Sequence, residues 1–132
     1  MILNLTPHAI AVYAESQFVG LTQKNPTTWV ASGVEGTPIA EYEAEKKSAR
    51  IEVSTVPIAS PLPGDTVQSV YGAATGIPES ITSADILIVS LPMQSMAKAA
   101  GLPSAPQMVA PYKVVRDAGN GSIVLGCMGF TY

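Results

Sequence analysis

Four consecutive apolar residues, Ile86 to Val89, constrain the fold of this chain more than any other feature. An unbroken apolar run of strand length predicts a central strand that is covered on both faces. Ser90 or Leu91 then caps a predicted helix with Pro92 in its first turn. The apolar face of this helix has the spacing i, i+3, i+4 and i+7 and consists of Met93, Met96, Ala97 and Ala100. Gly101 is predicted to end the helix in a left-handed conformation.

Alternating apolar and polar residues predict several strands in the rest of the chain. Leu3 to Tyr13 is predicted to form one bent strand or two short ones, because Pro7 interrupts the pattern. Ala49 to Thr55 alternates cleanly, which predicts a half-exposed strand. Thr66 to Tyr71 predicts another strand, which ends at Gly72.

Turns and loops are predicted where Gly, Pro, Asn and Asp cluster. The segment Asp117–Gly121 separates the predicted strands Lys113–Arg116 and Ser122–Phe130. It predicts a C-terminal hairpin, because the glycine and asparagine residues of its turn can adopt positive φ. Gln23 to Gly36 is predicted to be a loop, and Glu41 to Lys47 is predicted to be a solvated charged stretch.

Length and composition indicate one domain. The 132 residues, 47% of them apolar, suffice for a single core, so residues 1–132 are predicted to form one domain. The predicted fold class is α+β, dominated by antiparallel strands, with one main helix near residues 92–100. Charged residues make up only 13% of the chain, which leaves few charges to keep molecules apart. We therefore expect a homo-oligomer built from dimers.

Charge and hydropathy also indicate which partners to exclude. Ten acidic and seven basic residues give a net charge of −3, whereas proteins that bind DNA or RNA cluster Lys and Arg on one face. No segment reaches the roughly 18 apolar residues of a membrane span. The N-terminal residues do not have the pattern of a secretory signal. We therefore expect a cytoplasmic protein that binds neither a nucleic-acid polymer nor a membrane.

Few residues are suited to catalysis or to metal binding. One histidine and one cysteine cannot assemble soft metal ligands within one subunit, and a hydrolytic triad would have to use His8 in a strand-like segment. Cys127 is expected to be a small core residue. The turn Gly119-Asn120-Gly121 joins two strands, whereas a dinucleotide-binding loop joins a strand to a helix. We therefore expect no catalytic residue, no cofactor and no metal.

The two arginines, Arg50 and Arg116, are candidate ligand contacts because a guanidinium recognises two phosphate oxygens at once. The structural alternative is that Arg116 forms an ion pair with Asp117 or Glu79, and that Arg50 decorates an exposed strand face. An exposed aromatic ring near such an arginine could stack on a purine, although most aromatic residues serve packing. The candidate rings are Trp29, Tyr71, Tyr112 and Phe130.

Four local motifs follow one another in a distinctive order. They are Asn4-Leu5-Thr6-Pro7-His8-Ala9-Ile10, then Tyr71-Gly72 with Gly76-Ile77-Pro78-Glu79, then Ile88-Val89-Ser90, and last Val115-Arg116-Asp117 with a Gly-Asn-Gly turn before Gly126-Cys127. In this order they resemble the Thoeris anti-defence protein one family of small phage and prophage proteins. The resemblance covers residues 1–13 and about 49–130, whereas the segment 17–48 is longer and less typical.

The resemblance implies a protein that is not an enzyme and sequesters a cyclic ADP-ribose isomer made by TIR-domain immune enzymes in an infected bacterial host. It also implies a capacity for cyclic oligonucleotide signals, in a separate pocket of a higher oligomer such as a hexamer. In the Val-Arg-Asp motif, Arg116 would contact the ligand pyrophosphate, and Asp117 would accept from a ribose hydroxyl or fix the arginine. The base-stacking aromatic expected near the Ile-Val-Ser strand is absent from Ile86–Ile88. The predicted ligand-binding residues are therefore Arg116, Asp117, Tyr71 and Arg50.

Two other functional classes stay open. A turn-rich, weakly charged and oligomeric β domain would also suit a phage structural or decoration protein, which would co-purify with virus particles. A small enzyme that acts on nucleotides through Asp117 and His8 is the second alternative, because a perturbed acid or base in a pocket can support such chemistry. Recovery of unchanged ligand from the denatured complex would distinguish a binding protein from that enzyme.

Overall fold

Twelve strands and one α-helix make up the chain, and a computed structural model describes all residues from 1 to 132. In chain order the elements are β1 (Ile2–Asn4), β2 (Ile10–Val12), β3 (Phe18–Val19), β4 (Thr22–Asn25), β5 (Thr28–Ala31), β6 (Gly33–Val34), β7 (Ala40–Tyr42), β8 (Arg50–Pro57), β9 (Val67–Thr75), β10 (Ile86–Ile88), α1 (Leu91–Ala100), β11 (Met108–Asp117) and β12 (Val124–Thr131). Short 3-10 turns span Glu15–Gln17 and Ala105–Gln107. No helix has the length and apolar character needed to cross a membrane. The predicted α+β class is confirmed.

The main sheet contains both parallel and antiparallel pairs. Strand β10 lies between β1 and β11 and is parallel to both. The helix α1 connects β10 to β11, which explains their parallel pairing, since parallel neighbours need a crossover connection. Strand β11 continues as the partner of β12 in an antiparallel pair and of β5 in a parallel pair. Strand β12 is parallel to β2, which in turn is antiparallel to β7.

The core forms where the helix covers the sheet. Leu87, Ile88 and Val89 are at most 1% exposed, which confirms that the strand is buried, although it lies second from the edge of the main sheet rather than at its centre. Met93 and Ala97 on α1 pack in the same cluster, together with residues of β8 and β11. The helix also buries one polar residue, Gln94, whose amide donates to the carbonyl oxygens of Met108 (3.2 Å) and Thr131 (2.9 Å). These two bonds tie α1 to both long strands of the sheet.

Both ends of α1 follow the sequence prediction. Ser90 is the N-cap, and its Oγ accepts the Met93 N–H at 3.2 Å. Pro92 occupies the first turn, where the missing N–H has no intrahelical partner to lose. Gly101 ends the helix at φ +68°, in the left-handed region. The strand and the helix of segment 86–101 are therefore both placed by local sequence.

Replacement of Ser90 by alanine is expected to lower the free energy of unfolding by about 1 kcal/mol, because it removes the side-chain acceptor at the helix N-terminus. Urea denaturation measures the change. Ser95→Ala is the matched control, since Ser95 is exposed in the middle of the same helix and alanine is at least as favourable there. Equal losses in the two variants would contradict the capping role.

The predicted loop from Gln23 to Gly36 is wrong. Strands β4 and β5 form a tight hairpin there, and β6 pairs with β3. The turn depends on Asn25, whose Oδ1 accepts from the N–H of Thr27 (3.0 Å) and from its hydroxyl (3.1 Å). Asparagine commonly closes turns in this way. Residues that indicated a loop thus build one turn between two strands, and β5 gains its second partner from β11.

Four further predictions concern the bounds of strands and the turns between them. Leu3 to Tyr13 contains two short strands, β1 and β2, as one of the two alternatives predicted. Strand β9 does not end at Gly72 but continues to Thr75, and the charged stretch 41–47 contributes its first two residues to β7. The C-terminal hairpin is confirmed, but its turn contains no residue at positive φ.

Candidate functional site

A cleft of about 900 Å³ lies along β11 and β12. The other walls come from β2 and the segment before it, from β5 and the turn that precedes it, from the start of α1 and from Glu41 of β7. This volume lies within the roughly 300–1,000 Å³ of typical small-molecule sites. The cleft is therefore large enough to hold a nucleotide-sized ligand.

The charge of the cleft differs from that of the whole chain. Two of the seven basic residues, Lys113 and Arg116, line it, whereas Glu41 is the only one of the ten acidic residues that does. When charges of one sign predominate in the walls of a cleft, the electrostatic potential inside the cleft takes that sign. A chain with net charge −3 thus presents a site that favours anions.

Lys113 has the most unusual backbone in the chain. Its φ of +49° makes it the only non-glycine residue in the left-handed region. This conformation costs roughly 1–2 kcal/mol for a residue with a side chain. In this conformation the Lys113 ammonium lies 5.1 Å from the ring centroid of Trp29 and 5.5 Å from that of Tyr112. Cation–π attraction to two rings offsets part of the backbone cost.

The structure separates the four aromatic residues that the sequence left as alternatives. Trp29 and Tyr112 line the cleft beside Lys113. Phe130 packs edge-on against Tyr42, with ring centroids 5.9 Å apart. Tyr71 lies on β9, outside the cleft. Two aromatic rings are therefore positioned next to a cation in one site.

Arg116 lines the same cleft near the end of β11. Its Nη1 donates to the carbonyl oxygen of Gly121 at 3.1 Å, and it forms no ion pair. The single ion pair of the chain joins the Met1 ammonium to Asp85 at 3.0 Å, so the predicted alternative of a pair with Asp117 or Glu79 is wrong. A guanidinium has five N–H donors, and those of Arg116 that do not reach Gly121 are available to a ligand.

Asp117 acts on the turn rather than on the cleft. Its Oδ1 accepts from the backbone N–H groups of Gly119 (2.7 Å) and Asn120 (3.2 Å). These bonds hold the turn that presents the Gly121 carbonyl to Arg116. Since Asp117 does not line the cleft, the role of fixing the arginine is the one that its contacts favour.

Arg50 and Tyr71, the other two predicted ligand contacts, lie on β8 and β9. Neither lines the cleft, so a single chain does not bring them to Arg116. Their contact with a ligand stays a prediction. In their place the cleft contains Lys113, which the sequence analysis did not select because no local pattern signals its backbone conformation.

His8 and Cys127 also line the cleft. The carbonyl oxygen of His8 accepts from Asn4 Nδ2 at 2.8 Å, which fixes the turn that contains it. Cys127 is 2% exposed, and burial raises the pKa of its thiol above the usual value. The thiol is therefore neutral near pH 7, as expected of a core residue. No group of three His, Cys, Asp or Glu side chains in the chain could hold a metal ion.

Comparisons of the chain with protein-family models, with curated proteins and with solved structures gave no match. The chemistry of the cleft is therefore the main evidence on function. Two cations and two aromatic rings that line one cleft suit a ligand that combines phosphate groups with a planar base.

Proposed function

We propose that this protein binds and sequesters a cyclic ADP-ribose isomer made by TIR-domain immune enzymes, without converting it, in the cytoplasm of an infected bacterial cell. The observation that carries the proposal is a cleft of about 900 Å³ that Arg116 lines together with Lys113, whose ammonium lies beside the rings of Trp29 and Tyr112. The motif order of the sequence, which resembles the Thoeris anti-defence protein one family, supports the same ligand class.

Each part of such a ligand has a suitable counterpart in the cleft. A pyrophosphate carries negative charge that Arg116 can meet with paired N–H donors, while Lys113 adds a second positive charge. The adenine can stack on an aromatic ring, which contributes roughly 1–3 kcal/mol per base. The Lys113 ammonium lies over the rings of Trp29 and Tyr112. A stacked base would therefore compete with the ammonium for the same ring faces. Phosphate binding that draws the ammonium aside would free a face for the base.

The arrangement of potential acids and bases supports binding without turnover. The enzymatic alternative requires Asp117 and His8 to act on one ligand. His8 lines the cleft, whereas the Asp117 carboxylate holds the neighbouring turn. The pair is therefore not assembled in the cleft of a single chain, and we propose a protein that releases its ligand unchanged.

Calorimetric titration with a cyclic ADP-ribose isomer, followed by heat release and mass spectrometry of the recovered ligand, tests the proposal. We expect saturable binding and complete recovery of the unchanged cyclic compound. Linear ADP-ribose is the matched control, since it has the same groups without the ring closure and should bind more weakly. Cyclic dinucleotides and trinucleotides are titrated separately, because the family resemblance also implies binding of cyclic oligonucleotide signals. Absence of binding, or recovery of a hydrolysed product, would overturn the proposal.

A further inference from the structure

Strands β8 and β9 form an arm that pairs with no other part of the chain. They make up a two-stranded antiparallel sheet of their own, with a continuous register from Val53–Tyr71 to Pro57–Val67. Only its base reaches the core, where Ile51 is 6% exposed. The outer edge of each strand therefore presents backbone groups that have no partner strand.

The arm exposes apolar side chains on both strands. Between 39% and 51% of the surface of each is accessible, and they are Val53, Val56, Val67, Val70 and Tyr71. An isolated two-stranded hairpin is at best marginally stable in water, and stability generally needs a third strand or a covering layer. The arm thus has exposed apolar side chains and unpaired strand edges, which are the features of an incomplete sheet.

The two edges of the arm differ in their protection. Strand β8 carries Arg50, Glu52 and Pro57, and charge and proline commonly protect an exposed edge against pairing. Strand β9 has nine residues without a charge or a proline. Its outer edge is therefore the one suited to pairing with another strand.

We propose that β9 pairs in antiparallel orientation with β9 of a second copy of this chain, so that two arms form one four-stranded sheet. A two-fold axis uses the same surface on both partners, and an uncharged strand meets itself without like-charge repulsion. Tyr71, at the midpoint of Val67–Thr75, meets its own counterpart.

This pairing can be tested on the free protein without any ligand, because sedimentation measures the association directly. The test uses Tyr71→Lys and Tyr71→Glu, analysed by sedimentation equilibrium over a range of concentrations. The wild type is expected to be a dimer or a multiple of dimers, and each variant alone is expected to lose this contact, since like charges then meet at the axis. An equimolar mixture of the two variants is expected to restore it as a heterodimer.

Ile39→Glu is the matched control, because Ile39 is 68% exposed outside the arm and its replacement should leave the mass unchanged. Hydrogen exchange gives a second measurement on the wild type: the β9 amides should become more protected as concentration rises. A monomeric wild type, variants that associate like the wild type, or a mixture that does not associate would each overturn the proposal. So would β9 amides whose exchange is independent of concentration.

Discussion

Replacement of Arg116 by alanine is expected to weaken binding of the cyclic ligand by about ten-fold to more than a hundred-fold. Hydrogen bonds to charged groups contribute roughly 1.5–3 kcal/mol, and each 1.4 kcal/mol corresponds to a factor of ten in affinity. The fold should be unaffected, because the one hydrogen bond of the Arg116 side chain within the chain is an exposed contact to the Gly121 carbonyl oxygen. Calorimetry and a thermal melt of each variant measure the two effects separately.

Arg116→Lys is expected to recover only part of the affinity, since an ammonium keeps the charge but lacks the planar pair of donors. Arg50→Ala is the matched comparison for the other arginine, which lies on the arm outside the cleft. An equal loss for Arg50→Ala would indicate a ligand site that uses the arm of a second copy. An Arg116→Ala variant that melts earlier and still binds like the wild type would end the proposed role of Arg116.

Replacement of Asn4 by alanine is expected to lower the free energy of unfolding by about 2–5 kcal/mol, since each buried polar group left unpaired costs roughly 1–3 kcal/mol. Asn4 is 1% exposed and uses its whole amide. Its Nδ2 donates to the carbonyl oxygens of His8 (2.8 Å) and Tyr42 (2.9 Å), and its Oδ1 accepts from the N–H (3.0 Å) and hydroxyl (2.6 Å) of Thr6. The side chain thus joins β1 to the following turn and to β7.

Chemical denaturation of Asn4→Ala and Asn120→Ala tests the importance of burial. Asn120 makes similar contacts, to the N–H (3.2 Å) and hydroxyl (2.6 Å) of Ser122, but in an exposed turn. Water replaces such bonds at little cost, so we expect a loss below about 1 kcal/mol for Asn120→Ala. Asn4→Asp should be at least as damaging as Asn4→Ala, because it turns a donor into an acceptor that faces two carbonyl oxygens. Similar losses at Asn4 and Asn120 would contradict this account.

Local signals explain which elements could be predicted. The strand and helix of segment 86–101 depend on an apolar run, a serine cap, a proline and a glycine, all of which act within a few residues. The hairpin β4–β5 was missed because Asn, Pro and Thr indicate a turn without showing whether strands flank it. Its strands are secured by the pairing of β5 with β11, more than eighty residues further along the chain. No local pattern contains that contact.

The same distinction holds for the candidate site. Arg116 could be selected from the sequence because the chain has only two arginines and one of them lies in a recognisable motif. Lys113 could not, because its importance comes from a left-handed backbone and from the approach of Trp29. That approach depends on the parallel register that places Trp29 opposite Val115. The sequence therefore indicated Arg116 as one cation of the cleft. The other cation, Lys113, and its contact with Trp29 depend on long-range strand pairing.

The position of Trp29 gives the protein a built-in optical label. It is the single tryptophan of the chain, and its indole lies in the cleft with the Lys113 ammonium 5.1 Å from the ring centroid. Indole emission responds to a nearby charge and to a stacked base, and no other tryptophan contributes a background signal. Fluorescence excited selectively in the indole therefore reports on the surroundings of Trp29 in the cleft, which allows ligands to be screened without a dye or a radioactive tracer.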